Sequence, residues 1–128
     1  MSQTEKTVRD AYAAFTRGDI PGFLSLCTPD ITFQVPGDGL LSGTLAKDEF
    51  LAKLGPAMEA VAGTFREEIV ELVSGDESAA VLVAQRAERD GRLQRWNAVH
   101  WWGLRGGQLA SFRELVDDAA SFERAWHR

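Results

Sequence analysis

His100 and Glu114 stand in the stretch "RWNAVHWWGLRGGQLASFRELVD", residues 95–117, among three tryptophans and a phenylalanine. An imidazole coupled to a carboxylate is a familiar source of proton chemistry. The carboxylate orients one ring tautomer and leaves the other nitrogen as acid or base. Whether the two groups meet depends on the turn at Gly106-Gly107. A two-residue turn pairs Leu104 with Leu109 and sets His100 opposite Arg113. A three-residue loop, Arg105-Gly106-Gly107, with Gly107 left-handed as a bulge, pairs Leu104 with Gln108 and sets His100 opposite Phe112. Glu114 is then a diagonal neighbour on the same face, about 7 Å or less away between Cβ atoms. Phe112 and Val116 share one face while Leu109 and Leu115 share the other, so hydrophobic alternation is compatible with either register.

No other constellation competes. The two histidines are far apart, cysteine is represented by Cys27 alone, and no His-x-x-x-His or carboxylate cluster occurs, so neither a metal nor another cofactor is expected. "GLRGG" joins two strands and opens no helix, which argues against phosphate binding. Cys27 reads as a small buried apolar residue rather than a nucleophile.

The elements that must position this stretch follow from periodicity. "SQTE" at 2–5 has capping-box spacing, and Val8, Tyr12 and Phe15 continue at helical intervals until Gly18. Asp19 caps a second helix, "IPGFLSLC", which Pro29 ends. "DITFQVPG" is a short strand with Ile31, Phe33 and Val35 on one face, and "GDGLLSG" is a loop. A third helix runs from Lys47 to Val61, kinked or interrupted at Gly55-Pro56. The period then changes to that of strands. "TFREEIVELV" is a half-buried strand or two with an irregularity, and "AAVLVAQRAER" alternates Val81, Val83, Gln85 and Ala87 against Leu82, Ala84, Arg86 and Glu88. Asp90-Gly91 is a hairpin signal, two further long strands follow, and "DAASFERAW" is a final short helix pinned by Phe122 and Trp126. Helices first and hairpin-linked strands after predict an α+β domain, with a curled sheet whose helix-covered side encloses a pocket.

Composition sets the outer bounds. One domain, residues 1–128, is expected, with 45% hydrophobic and 26% charged residues, as in ordinary globular chains. Net charge is −5 with no block of Lys or Arg, which argues against a nucleic-acid partner. No apolar run approaches the roughly 18 residues of a membrane span. The polar start, "MSQTEKTVRD", lacks the apolar segment of a secretory signal, and a lone cysteine suits a reducing compartment, so a cytoplasmic location is expected.

The order of these pieces, "AYAAFTRGDIPGFLSLCTPDITFQVPG", then "SGTLAKDEF", then "VHWWGLRGGQLASFRELVD", resembles the nuclear transport factor 2-like superfamily, most closely its SnoaL-like and ketosteroid-isomerase-like branches. The resemblance implies a cone-shaped, curled antiparallel (mixed) sheet, a cystatin-like roll, with three N-terminal helices on its concave face. It also implies a homodimer through the sheet and a deep apolar pocket. Chemistry does not transfer with the fold. The first-helix tyrosine of ketosteroid isomerases falls on Ala11, with Tyr12 about 100° around the helix. Their base falls on Val35, and only the late-strand position keeps an ionisable group, His100. "FRELVD" resembles the last strand of limonene-type epoxide hydrolases through Glu114 and Asp117, but the Arg and Asp of their neighbouring strand have no counterpart.

The resemblance favours the bulged loop at Gly106-Gly107. On that register Trp96, Ala98, His100 and Trp102 face inward beside Ala110, Phe112, Glu114 and Val116, with Phe33, Val35 and Phe50 closing the cavity from the helix side. The expected site is therefore His100 and Glu114 as acid/base groups, lined by Phe33, Val35, Phe50, Trp96, Trp102 and Phe112. It would serve a small, largely apolar, oxygen-bearing molecule in an isomerase, cyclase or hydrolase reaction. The alternative is a non-catalytic ligand-binding or dimerising domain. Trp101, on the face opposite His100, suits a dimer interface.

Overall fold

The computed structural model describes residues 1–128. In chain order the elements are α1 (Gln3–Thr16), α2 (Ile20–Ser25), β1 (Cys27–Val35), β2 (Gly43–Ala46), α3 (Lys47–Ala60), β3 (Arg66–Ser74), β4 (Ser78–Arg89), β5 (Arg92–Arg105), β6 (Gln108–Val116) and α4 (Ala119–Trp126). The strands form one sheet in the order β2-β1-β6-β5-β4-β3. The β1–β6 pair is parallel and every other pair is antiparallel, so the sheet is mixed. The architecture is the expected α+β curled sheet under helices.

Alternation explains how the sheet makes a core. In β5, Trp96, Ala98, His100, Trp102 and Leu104 are buried while Arg95, Asn97 and Trp101 are exposed. In β4, Ala79, Val81, Val83, Gln85 and Ala87 are buried on the same side. That inner face meets Val8, Ala11 and Tyr12 of α1, Phe23 of α2, Ala57 of α3, and Phe122 and Trp126 of α4 in one continuous cluster. The cover thus includes a fourth helix besides the three N-terminal ones. Asp118 caps α4 through the Ser121 N–H, and Trp96 takes Phe122 and Trp126 edge-on, with ring centroids 5.6 and 6.2 Å away.

Several local expectations are corrected. The loop ends before Gly43, and residues 43–46, between that loop and the third helix, form a strand: Leu45 is buried opposite Phe33, and its neighbours pair with β1. Helix α2 stops at Ser25, and Pro29 sits within β1, which begins at Cys27. The Ser2 hydroxyl caps α1, but Glu5 reaches forward to Arg9 rather than back to the cap. Helix α3 runs through Gly55-Pro56 uninterrupted. Pro56 deprives the Ala52 carbonyl of its helical donor, but Ala52, Gly55 and Pro56 are all exposed, so the carbonyl is not shut away from solvent.

The most consequential correction concerns the β5–β6 register. Gly106 and Gly107 both adopt left-handed backbone, with φ of 59° and 79°, and form a two-residue turn that pairs Leu104 with Leu109. The extra residue lies further along. Between Gly103–Ser111 and Leu104–Leu109 the ladder skips Ala110, and from there Trp102 pairs with Phe112 and His100 with Glu114. A bulge puts two residues against one. Here it lets Leu109 and Phe112, which strict alternation would place on opposite faces, both turn inward. His100 therefore faces neither Arg113 nor Phe112 across the ladder, but Glu114 itself.

Candidate functional site

Direct cross-strand pairing brings the His100 and Glu114 side chains of the inner face into contact. His100 Nε2 lies 2.7 Å from Glu114 Oε2, with the side chains 4% and 9% exposed. The other ring nitrogen, Nδ1, lies 2.5 Å from the hydroxyl of Tyr12, which descends from α1. Tyr12 also receives a hydrogen bond of 3.0 Å from Trp102 Nε1. An indole nitrogen can only donate, so the Tyr12 oxygen accepts from Trp102 and keeps its own proton to give. With a neutral imidazole that proton goes to Nδ1, and Nε2–H donates to the Glu114 carboxylate. With an imidazolium both nitrogens donate, and the Tyr12 proton turns to the cavity. These two consistent states differ by one proton, so the cluster can take up or deliver a proton without losing its hydrogen bonds.

A second arm reaches the same place from β3 and β4. Trp96 Nε1 donates to Gln85 Oε1 at 2.5 Å, which turns the Gln85 amide nitrogen toward the site. That nitrogen donates to Glu67 Oε2 at 2.5 Å and approaches His100 Nε2 at 3.5 Å. Burial pushes the Glu67 carboxyl above the usual glutamate range, opposed by His100 and the Gln85 bond and reinforced by Glu114. Burial likewise holds the Tyr12 phenol well above its ordinary value, with Glu67 adding to the effect and the Trp102 bond opposing it. Tyr12 is therefore a hydroxyl donor throughout the neutral range.

These groups border a cavity of about 90 Å³ lined mainly by apolar side chains. Phe33, Val35, Phe50, Trp102 and Phe112 all line it, as do His100 and Glu114. Phe33 and Phe50 stack face to face with centroids 4.1 Å apart, and Phe112 packs 4.7 Å from the His100 ring. Trp96 is the exception. It lies beneath α4, outside the lining, because Phe122 and Trp126 cover its ring, and Trp126 reaches the cavity in its place.

Tyr12, Glu67 and Gln85 were not among the expected site residues, although each left a sequence signal. Tyr12 lies on the Val8–Phe15 stripe, Gln85 on the Val81–Ala87 face, and Glu67 between Phe65 and Ile69 on the inward phase of β3. Cys27 is buried and its thiol is pushed up to about 11 by burial, away from the site. No three or more His, Cys, Asp and Glu side chains converge as a metal-holding group.

Fold and site together define an α+β pocket domain whose curled sheet carries a buried imidazole–carboxylate pair. The chain belongs to the SnoaL-like domain family of the nuclear transport factor 2-like superfamily, whose model matches residues 8–112. It is 29% identical over 121 residues to the uncharacterized protein Rv0034 of Mycobacterium tuberculosis (strain ATCC 25618 / H37Rv), a match covering 93% of this chain and 92% of the relative. Among solved structures it is similar to an NTF2-like protein of unknown function from Burkholderia pseudomallei K96243, with TM-score 0.87 and 30% identity over the whole of both chains. It is also similar in fold to Bal32a from a soil-derived mobile gene cassette, with TM-score 0.90 and 23% identity over 98% and 97% of the two chains.

Proposed function

We propose that this SnoaL-like domain binds a small, largely apolar, oxygen-bearing molecule and moves a proton on it, as an isomerase, cyclase or hydrolase would. The observation that carries the reading is the His100 ring, held at one nitrogen by Glu114 and at the other by Tyr12. Starting from the imidazolium, Tyr12 gives its proton to a substrate oxygen and takes the Nδ1 proton of His100. The ring ends neutral, with Nε2–H still on Glu114. Tyr12 and His100 are thus the acid limb, and Glu114 stabilises the charged ring. Trp102, Phe112 and Phe33 exclude water and position the apolar body.

A non-catalytic binding role is the second reading, and the size of the cavity favours it. About 90 Å³ is less than the roughly 150 Å³ of an apolar cavity that takes up benzene. The proton-transfer reading requires the reacting head of the ligand to be only a few heavy atoms, or the lining to yield.

The test begins with a thermal-shift screen of small enones, epoxides and phenols, followed by turnover of the hits. His100→Phe and the hydrogen-bonding variant His100→Gln should each lower turnover at least 100-fold, the lower end of what a positioned acid or base contributes. Full turnover in a folded His100→Gln protein would overturn proton transfer, and binding without turnover in the wild type would establish the second reading. We further propose a homodimer through the outer sheet face, where Leu82, Trp101 and Leu115 are exposed, and a cytoplasmic location, consistent with the unpaired Cys27. No helix is long and apolar enough to cross a membrane.

A further inference from the structure

Glu67 occupies a singular place in the molecule. It lines the inner cavity, and it also borders each of three larger outer recesses. One of these recesses shares Phe15, Leu54, Met58 and Phe65 with the cavity wall, so Glu67 stands in the partition between the recess and the cavity. Its Oε2 is occupied by the Gln85 amide, whose orientation Trp96 enforces. Its Oε1 has no partner in the chain and is not sealed off, which leaves it free to meet a ligand.

The charge inventory of the chamber completes the picture. Its ionisable lining consists of Tyr12, Glu67, His100 and Glu114, and no Lys or Arg borders it. His100 and Glu114 compensate each other when the ring is protonated and leave a net negative charge when it is not. In neither state does a positive charge remain for an incoming anion, and Glu67 adds a further carboxyl to the lining. A carboxylate or phosphate entering here would be stripped of water with nothing to pair it, the costly case for a buried charge. A neutral head group meets the opposite situation, with the Glu67 Oε1 to accept and, when the His100 ring is protonated, the Tyr12 hydroxyl to donate.

We infer that Glu67 is a specificity-determining residue that restricts the chamber to uncharged, hydrogen-bonding head groups and turns away carboxylates and phosphates. The inference rests on the pocket reading given above and narrows its substrate class to neutral carbonyl, amide, epoxide or hydroxyl compounds. It assigns Glu67 a role in selection, separate from the proton transfer of His100.

Acetamide and acetate form a suitable probe pair, small enough for the cavity, nearly equal in shape and differing in charge. Their binding to the full chain is followed at pH 7.5 by the side-chain NMR signals of His100 and the indole N–H of Trp102. The wild type should bind acetamide about tenfold or more tightly than acetate, and Glu67→Gln, isosteric and uncharged, should shrink that preference at least about threefold, the desolvation of the anion remaining. Equal affinities in the wild type, or a preference that Glu67→Gln leaves unchanged, would overturn the inference while leaving the pocket intact. Binding of neither probe would remove the inference together with the pocket reading. A selective wild type whose His100→Gln variant retains full turnover would remove only the proton-transfer reading. The wild-type comparison needs no variant, so a folding defect in Glu67→Gln would not leave the question open.

Discussion

At the scale of single residues, the site is two hydrogen-bonded arms that meet at one ring. The Tyr12–His100–Glu114 arm is completed by a direct cross-strand pair, and the Trp96–Gln85–Glu67 arm approaches it from the neighbouring strands. Glu67 has a consequence for stability as well as for binding. Its carboxyl binds a proton more tightly in the folded chain than in the unfolded one, because burial disfavours its charge. The folded state therefore holds the extra proton as pH rises past the ordinary glutamate value of about 4.3, and stability falls with pH until the folded value is passed. Glu67→Gln removes this dependence. The variant should match the wild type near pH 4 and exceed it in stability at pH 7 to 8, as urea denaturation at the two pH values would show. A variant equally or less stable at both would contradict the assigned cause. The legibility of the site followed the same division. His100 and Glu114 stood out because charged groups among tryptophans are conspicuous. Glu67 sits in the acidic run "REEIVEL", where one inward carboxyl looks like its solvated neighbours, and only the phase of Phe65 and Ile69 sets it apart.

At the scale of elements, the strand periods were readable and the irregularities were not. The alternation of β4 separated its two faces, and that of β5 named the inward one residue by residue. The Ala110 bulge, which decides what His100 faces, leaves no mark, because alanine suits a bulge and a regular strand equally and Gly106-Gly107 accommodates turns of either length. Strand β2 escaped notice for a related reason: with four residues and one buried side chain, Leu45, it has no period to read. Helix α4, by contrast, was legible from Phe122 and Trp126, and its coupling to the site can be tested. Trp126 is 2% exposed, packs on Trp96 and Phe65, borders the cavity, and accepts the Leu40 N–H through its carbonyl at 2.7 Å. Trp126→Ala should cost about 3–5 kcal/mol, as large aromatic deletions in cores do. It should also enlarge the chamber enough to admit ring compounds the wild type binds weakly. Denaturant midpoints and binding of benzamide together check this. A loss under 1 kcal/mol would mean that α4 is only loosely seated.

At the scale of the whole molecule, the sheet has two faces with different tasks. The inner face is filled by the site and its lining. The outer face carries a cross-strand row, Leu82–Val99–Leu115, beside a second row, Ala80–Trp101–Arg113. Leu82, Trp101 and Leu115 are 37%, 52% and 50% exposed, and Val73, paired with Ala80, extends the apolar strip to β3. Exposed apolar side chains contiguous over four strands are unusual on a monomer, which supports the proposed contact surface. A second copy of the chain is the occupant proposed for it, with aromatic residues at the centre as such interfaces favour. Trp101→Glu separates this role from the pocket. The new carboxylate would sit across the ladder from Arg113, an opposite-charge pair that a sheet surface tolerates. The subunit should therefore fold while its apolar contact is broken. Sedimentation velocity should show a dimer for the wild type and a monomer for Trp101→Glu, with the His100 ring signals unchanged because that ring points to the other face. A wild type that sediments as a monomer at high micromolar concentration would refute the dimer. A Trp101→Glu monomer with altered His100 signals would show that the two faces are coupled, and that assembly shapes the chamber.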